Sequence, residues 1–392
     1  MNGDEGVRRL SDTEATFAYT HALMGGNTQL TTEFTVNAAF SPERVERAVE
    51  LWLRRLPLLS LRIADLDGSL WFRRETPEAP SPEGRLWRLR VGHGPAAATR
   101  FAFTCHHAIC DGYSTGHLVR ASLDGLFGIP GGDGFRPGAD PLPPDIDELT
   151  YASGDMRPPR TPQARRSPCS YSARLTASAG SPVTFTLTPR ESRRLRNWCR
   201  ARELTVGGLL AAGLPGERVG EPGREEVTVS TAVSLRRRYA ERSLITEPGC
   251  VLGLVRTPAR TGTGTGGNDQ VDRARENAAA LRSAAHAWRP ARRAHARIRQ
   301  SVEREAAGGG APEIRVTDIG SVDAALGSHT ARLTEFRTVA ARGDAPPGGT
   351  LHLSSFMGAL TVALSTGSKG PARLAAAAER AVREAVLLSA SR

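Results

Sequence analysis

The sequence predicts an α+β protein built as two halves joined by a long crossover. Three observations predict it. The chain has 392 residues, long for one core and suited to two. Strand-like alternation and helix-like stripes occur together both before and after residues 128–180. That middle stretch holds Gly131-Gly132, Pro143-Pro144, Pro158-Pro159 and Arg165-Arg166, keeps no lasting period and reads as a linker. The expected boundaries are therefore 1–127, 128–180 and 181–392.

The first half reads as helix, strand, helix, hairpin, strands and helix. Leu10-Ser11-Asp12-Thr13-Glu14 opens the first helix, with Ser11 or Asp12 as cap and Glu14 in the first turn. Residues 29–38 alternate as a strand, Leu30, Thr32, Phe34 and Val36 sharing a face. Ser41-Pro42 gives the next helix a cap and an N1 proline, and Val45, Val49, Trp52, Leu53 and Leu56 give it an apolar stripe. Asp67-Gly68 is a hairpin turn between Leu61-Arg62-Ile63 and Leu70-Trp71-Phe72. Strands near 85–91 and 98–105 follow, then a helix with Leu118, Val119, Leu123 and Leu126 on one side.

The second half opens with a strand carrying Val183, Phe185 and Leu187. Thr188 caps a helix with Pro189 at N1 and with Leu195, Trp198 and Cys199 inward. Leu204-Thr205-Val206 caps another through Leu210. Strands are expected at Val227–Val233 and Cys250–Val255, and a Gly/Thr loop at 261–267. Arg-rich helix runs from about 270 to 305, broken near Pro290. Strands near 313–318, 331–340, 349–355 and 358–365 precede a last helix over 370–388, with Phe356-Met357-Gly358 as a hairpin turn.

Composition bounds the function. Hydrophobic residues at 39% and charged ones at 24% are a soluble globular mixture. There is no apolar run of about 18 residues, so no membrane span is expected. The first twenty residues lack an apolar signal region. Five cysteines, at 105, 110, 169, 199 and 250, show no CxxC spacing, which points to reduced thiols in a cytoplasm. No metal is expected at Cys105-His106-His107, because neighbours on a strand point to opposite faces. The net charge is +11, almost wholly from arginine; Lys369 is the only lysine. Nucleic acid is disfavoured, since no known binding motif is present and the arginines are spread along the chain. An anionic ligand such as a CoA phosphate, or an acidic protein partner, fits the charge better. The expected state is a monomer.

The chemistry-bearing stretch is Phe101-Ala102-Phe103-Thr104-Cys105-His106-His107-Ala108-Ile109-Cys110-Asp111-Gly112. A buried strand ends here and delivers His107 into a tight turn. Gly112 is expected to close that turn with a positive φ, and Asp111 to fold back and fix it. A neutral imidazole is the usual proton acceptor near pH 7. A packed or surface histidine is the competing reading, and the residues alone leave both open.

His106-His107-Ala108-Ile109-Cys110-Asp111-Gly112 resembles the HHxxxDG signature of one acyltransferase superfamily. That superfamily holds chloramphenicol acetyltransferases, BAHD acyltransferases, nonribosomal peptide condensation domains and polyketide-associated acyltransferases. Weaker agreements follow in the same order. They are Leu10-Ser11 with Glu14, Leu56-Pro57-Leu58-Leu59-Ser60-Leu61-Arg62, Val233-Ser234-Leu235-Arg236-Arg237-Arg238, Cys250-Val251-Leu252-Gly253 and Val316-Thr317-Asp318-Ile319-Gly320. Asp318 stands where the superfamily frequently has Asn. Ser355-Phe356-Met357-Gly358 sits where it has a polar turn.

The resemblance implies two chloramphenicol-acetyltransferase-like subdomains, each a mixed sheet with helices, and an active-site tunnel between them. It implies transfer of an acyl group from a CoA or carrier-protein thioester to a hydroxyl or amine of a natural-product or lipid acceptor. His107 would be the general base, with no acyl-enzyme. Asp111 shares the catalytic motif, but its implied role is structural, paired with an arginine, of which Arg236 is the best candidate. His106, Gly112, Asp318 and Ser355 are implied to border the substrate, the first two with structural work as well. The thioester donor, met in trans, takes the place of any permanently bound cofactor. Arg292, Arg293, Arg297 and Arg299 form a basic face, either simply solvated, as most such faces are, or meeting an acidic carrier or a phosphate. The alternative is a condensation-like domain without transfer activity, either a binding or scaffolding module or a cyclisation or dehydration variant. Asp318 favours that alternative, and the intact His107 and Asp111 oppose it.

Overall fold

Helix ends form where the sequence places their caps. Ser11 and Glu14 make a reciprocal capping box, with Glu14 N–H donating to the Ser11 hydroxyl at 3.2 Å and Ser11 N–H to the Glu14 carboxylate at 2.7 Å. In this computed structural model the chain is described over residues 7–74, 84–94, 97–129, 145–149, 182–214, 226–238, 247–260, 267–309, 313–340, 348–366 and 371–390. Most of the expected linker at 128–180 and nearly all of the Gly/Thr loop at 261–267 lie outside the described residues.

The first half contains β1 (Arg8–Arg9), α1 (Asp12–Leu23), β2 (Leu30–Val36), α2 (Pro42–Arg55), β3 (Leu61–Leu66), β4 (Ser69–Arg74), β5 (Trp87–His93), β6 (Thr99–Cys105) and α3 (Gly112–Phe127). Asp67 at φ 50° and Gly68 at φ 76° turn the β3–β4 hairpin, as two left-handed central residues do in a type I′ turn. A single helical turn, α4 (Ile146–Leu149), comes next. The second half contains β7 (Val183–Leu187), α5 (Pro189–Arg200), α6 (Val206–Ala212), β8 (Glu226–Ser234), β9 (Leu252–Arg260), α7 (Gly267–Ala287) and α8 (His295–Arg304). It continues with β10 (Glu313–Ser321), α9 (Asp323–Leu326), β11 (Leu333–Ala340), β12 (Gly348–Phe356), β13 (Ala359–Thr366) and α10 (Pro371–Ala390).

Three sheets result, ordered β1-β4-β3, β11-β2-β6-β5 and β7-β13-β12-β10-β8-β9. The pairings within the first two are antiparallel, and parallel pairing is confined to β8, β10 and β12 of the third. The third sheet has two unlike faces. Val229, Ile314, Val316, Leu351 and Leu353 pack with Leu195, Leu209, Ala378 and Val382 of the helices beneath. Ser230, Arg315, Thr317 and Thr350, at the alternate positions, face the first half.

Packing does not respect the division by sequence. β11 comes from the second half but joins the four-stranded sheet, pairing with β2 so that Phe336 lies opposite Phe34. Both rings belong to one apolar cluster with Phe101, Val119 and Leu126. Ile298 and Val302 of α8 enter the first half's core beside Trp52, Leu59 and Phe103. Among the described residues, no helix is long and apolar enough to cross a membrane.

Polar groups fasten α8 to the first half. His295 Nδ1 accepts from Leu70 N–H at 2.7 Å, and its Nε2, 3.0 Å from the Leu10 carbonyl, therefore carries the proton. Arg293 N–H donates to Asp12, and the Arg293 guanidinium pairs with the same carboxylate at 3.6 Å. Arg292 donates to the Asp147 carbonyl at 2.9 Å, and Arg299 pairs with Glu303 on its own helix. Arg292 and Arg293 of the four expected basic-face arginines thus help tie this segment to the first half, and Arg299 pairs within its own helix. The charges of Arg293 and Arg299 are matched at short range, which leaves less of them for a partner.

Burial, reinforced by Arg9, lowers the His295 pKa to about 3. Its unfolded value is about 6.5, so below that pH the unfolded chain gains a proton that the folded one refuses. Stability held above about pH 6.5 therefore drains away on acidification, by about 1.4 kcal/mol per pH unit for this group. His295→Ala strands a buried N–H and a buried C=O, each costing about 1–3 kcal/mol. Thermal unfolding at pH 7 and 5 should show a lower Tm for the variant and a smaller loss between the two pH values. An unchanged acid dependence would remove His295 as its source.

Candidate active site

The histidine turn begins where β6 leaves its sheet. His106 N–H donates to the Leu86 carbonyl at 2.7 Å, and Ile109 N–H returns to the His106 carbonyl at 3.1 Å. The two histidines then separate by environment. His106 is fully buried; its Nδ1 accepts from Ala108 N–H at 3.0 Å and its ring lies 4.7 Å from that of His21. It sits inside the first half, so the expectation that it borders substrate is corrected: no surface of it is left to do so.

His107 faces the other way and lines a cavity between the halves. Thr16, Phe17, Thr20, Asn27 and Thr28 line it from the first half, and Ser230, Leu254, Arg256, Arg315 and Thr350 from the second. The Phe17 ring stacks on the imidazole with centroids 4.0 Å apart and planes 10° from parallel. Nδ1 is sealed off without a hydrogen bond, yet the residue keeps 8% of its surface open, leaving Nε2 as the nitrogen available to a ligand. Burial lowers the His107 pKa to about 4, against the opposing pull of backbone carbonyls and of Asp111. The imidazole is therefore neutral at pH 7. The cavity is narrow, about 60 Å³, where ligand sites commonly reach about 300–1,000 Å³.

Asp111 does not fold back on the turn. Its carboxylate points across the seam between the halves, where Arg236 Nη2 donates to both oxygens at 3.1 and 2.9 Å. It also caps α3, accepting from Ser114 N–H at 2.8 Å, and accepts from Val251 N–H at 3.1 Å. Burial alone would raise its pKa; Arg236, Ser114 and Val251 outweigh that and hold it below the ordinary carboxylate value. With these partners and 3% exposure it has no access to the cavity, so its part is positional and it is not a catalytic group. The anticipated pairing with Arg236 is present.

Gly112 also has a different reason from the one expected. It does not adopt a positive φ. A Cβ here would stand 2.0 Å from Cγ2 of Ile319, so glycine is needed because β10 passes against the start of α3.

Asp318 and Ser355 lie apart from the His107 cavity, flanking Arg196. Ser355 accepts a hydrogen bond from the Arg196 guanidinium. Asp318 is reached by solvent yet hemmed in by protein. Desolvation raises its carboxyl above the ordinary value, opposed by Gly320 N–H and by Arg196.

Two buried residues around His107, Thr28 at the cavity and His352 within electrostatic reach of His107, escaped the sequence reading. Thr28 has φ 74°, unusual for a β-branched residue, and its hydroxyl is buried without a partner. The preceding Gly25-Gly26 was the available signal. His352 is buried with neither ring nitrogen hydrogen-bonded, and burial together with His107 lowers its pKa to about 3. No group of three or more His, Cys, Asp or Glu is gathered for a metal among the described residues.

The architecture has counterparts among solved structures. Polyketide synthase associated protein 5 from Mycobacterium tuberculosis superposes with a TM-score of 0.63 at 16% identity, covering 97% of this chain and 98% of that one. The trichothecene 15-O-acetyltransferase TRI3 from Fusarium sporotrichioides gives 0.66 at 13% identity, over 97% and 94%. The first condensation domain of the CDA synthetase gives 0.61 at 16% identity, over 99% and 96%. The fold is the one that these three structures share. No protein-family model matches the chain, and no curated protein does. The His107 cavity lies at the seam between the halves.

The seam yields a stability prediction. Asp111→Asn and Arg236→Ala each leave a buried charge without its counterpart, a loss of about 3–5 kcal/mol. The Asp111→Asn/Arg236→Ala double variant should lose less than the sum, because one interaction is removed twice. Thermal unfolding of all three measures this; fully additive losses would mean that the pair does not act as a unit.

Proposed function

We propose that this chain is an acyltransferase that moves an acyl group from a CoA or carrier-protein thioester to a hydroxyl or amine. The observation that carries the reading is a neutral imidazole, sealed at Nδ1, in a cavity formed by both halves. Such a group is set to take a proton from a nucleophile. The acceptor would meet His107 Nε2, lose its proton as it attacks the thioester carbonyl, and form a tetrahedral intermediate. Collapse of that intermediate breaks the C–S bond, and the imidazolium returns the proton to the departing thiolate. No acyl-enzyme is needed. Cys105 and Cys110 are fully buried, and burial raises the Cys110 thiol well above its ordinary pKa, so neither suits a second nucleophile.

The likeness to solved structures supports the two-sided arrangement that such a transfer needs. One of them, the starter condensation domain of rhizomide synthetase, holds C8-CoA; it has a TM-score of 0.59 and 13% identity, over 97% of this chain and 94% of that one.

The test is thiol release from mixed acyl-CoA and acyl-carrier donors, with products followed by intact mass spectrometry. His107→Ala should lower turnover by about 10²–10⁴-fold while leaving Tm near the parent value. In the parent, kcat/KM should stay level below pH 6.5 and decline only toward about pH 4, because the base works neutral and its pKa is about 4. Circular dichroism at each pH separates this limb from acid unfolding. Near-parent turnover by His107→Ala would sink the assignment. Thiol release from no donor would favour a binding module.

A further inference from the structure

The His107 cavity carries a charged wall that proton transfer does not use. Four side chains from three elements form it in a row. Arg256 Nε donates to Glu313 Oε1 at 3.1 Å, and Arg315 Nε to Glu313 Oε2 at 2.6 Å. Arg315 Nη2 donates in turn to Glu305 Oε1 at 2.9 Å. All four line the same cavity as His107. The two cations and two anions balance, but their positions are unequal. Arg315 lies between two carboxylates, which raise its pKa and occupy its charge. Glu313 is held from both sides.

Arg256 stands at the end of the row on β9, the edge strand of its sheet. Its side chain is 59% exposed, and only Nε is engaged among the described residues, leaving both Nη groups free to donate. A guanidinium fixed by Nε presents its terminal nitrogens as a fork suited to two oxygens of one anion. Ser230 lies opposite Arg256 across the β8–β9 ladder and lines the cavity too. With Thr16, Thr20, Asn27, Thr28, Thr317 and Thr350, the lining is rich in hydroxyl and amide groups.

We infer that the molecule bound at His107 carries an anionic group, a carboxylate or a phosphate, and that Arg256 holds it. The anion is on the acceptor if it is a carboxylate and on the thioester donor if it is a phosphate. Arg256 thereby determines specificity without touching the reacting atoms. The inference deepens the acyl-transfer reading and rests on it for the kinetics, while its binding test stands alone.

The test compares anionic probes with less charged counterparts. Two hydroxy acids, 3-hydroxybutyrate and 4-hydroxybenzoate, are titrated beside their methyl esters, and CoA beside dephospho-CoA. Affinity is measured by calorimetry for the parent, Arg256→Gln and Arg256→Lys. Arg256 is half-exposed on an edge strand, so the variants should fold, which circular dichroism checks. The parent should prefer the more anionic member of at least one pair. Arg256→Gln should abolish that preference, weakening the anionic probe about five- to tenfold and sparing its counterpart; Arg256→Lys should keep part of it. A hydroxy-acid effect places the anion on the acceptor, and a CoA effect places it on the donor. With turnover, the same variant should raise the KM of that substrate and leave kcat unchanged. If the parent shows no preference in any pair, or Arg256→Gln weakens both members equally, the inference is overturned. Retained preference without turnover from any donor would instead count against the acyl-transfer reading and leave Arg256 as an anion site.

Discussion

One buried ion pair sets how the two halves meet. Asp111 and Arg236 lie far apart in sequence and are both nearly fully buried, 2.9 Å apart. Taking two charges from water costs several kcal/mol per ion, so the arrangement persists only with further hydrogen bonds around it. They are present. Asp111 accepts from Ser114 and Val251 N–H, and Arg236 Nη1 donates to the Glu247 carbonyl at 2.7 Å. Asp111 N–H donates to the Gly249 carbonyl at 3.0 Å. The same carboxylate that starts α3 therefore anchors the end of β8 and the segment before β9. Immediately beside it, Gly112 admits Ile319 at a distance no side chain would allow. Asp111 and Gly112 fix the seam from within the motif that carries His107.

The six-stranded sheet divides the remaining work between its faces. Its apolar face pairs with α5, α6 and α10 and supplies the second half's core. Its polar face cannot be covered by another apolar layer, because Ser230, Arg315, Thr317 and Thr350 need polar partners. The first half covers it incompletely, and the gap is the cavity. The ion network from Arg256 to Glu305 is what a wall of charged residues becomes when most water is removed: each group finds an opposite neighbour. His107 approaches from the opposing side, so the imidazole and the charged wall belong to different halves.

Much of this was legible residue by residue where the governing force is local. The caps at Ser11, Ser41 and Thr188, the Asp67-Gly68 turn and the Met357-Gly358 turn all form as their sequences direct. The histidine motif and the pairing of Asp111 with Arg236 were legible through resemblance. What escaped depends on contacts distant in sequence. The alternation of β11 marks a strand but not a sheet; Phe336 joins Phe34 because the first half's exposed edge offers it an apolar partner. Ser230, Thr317 and Thr350 alternate with apolar residues as solvent-facing positions do, and period two cannot tell water from a seam. Gly112 looked like a turn glycine because the cause of its smallness, Ile319, is more than two hundred residues away.

The seam and the chemistry are therefore linked by geometry. The proposed base on one half and the proposed anion-binding wall on the other would act together only while their separation is held. A misplacement of about 1 Å between reacting groups is enough to cost about a hundredfold in rate. The precision must come from the joint, since neither half alone contains both parts. A hydrophobic joint would tolerate sliding, because burial of apolar area has little directional preference. The joint here combines the β11–β2 ladder and the α8 contacts with a guanidinium donating to a carboxylate that also accepts two backbone N–H groups, and each of those bonds weakens steeply off its preferred angle. The directional bonds around that pair, together with the β11–β2 ladder, are thus what make the His107 cavity a defined space and not a loose cleft between two sheets.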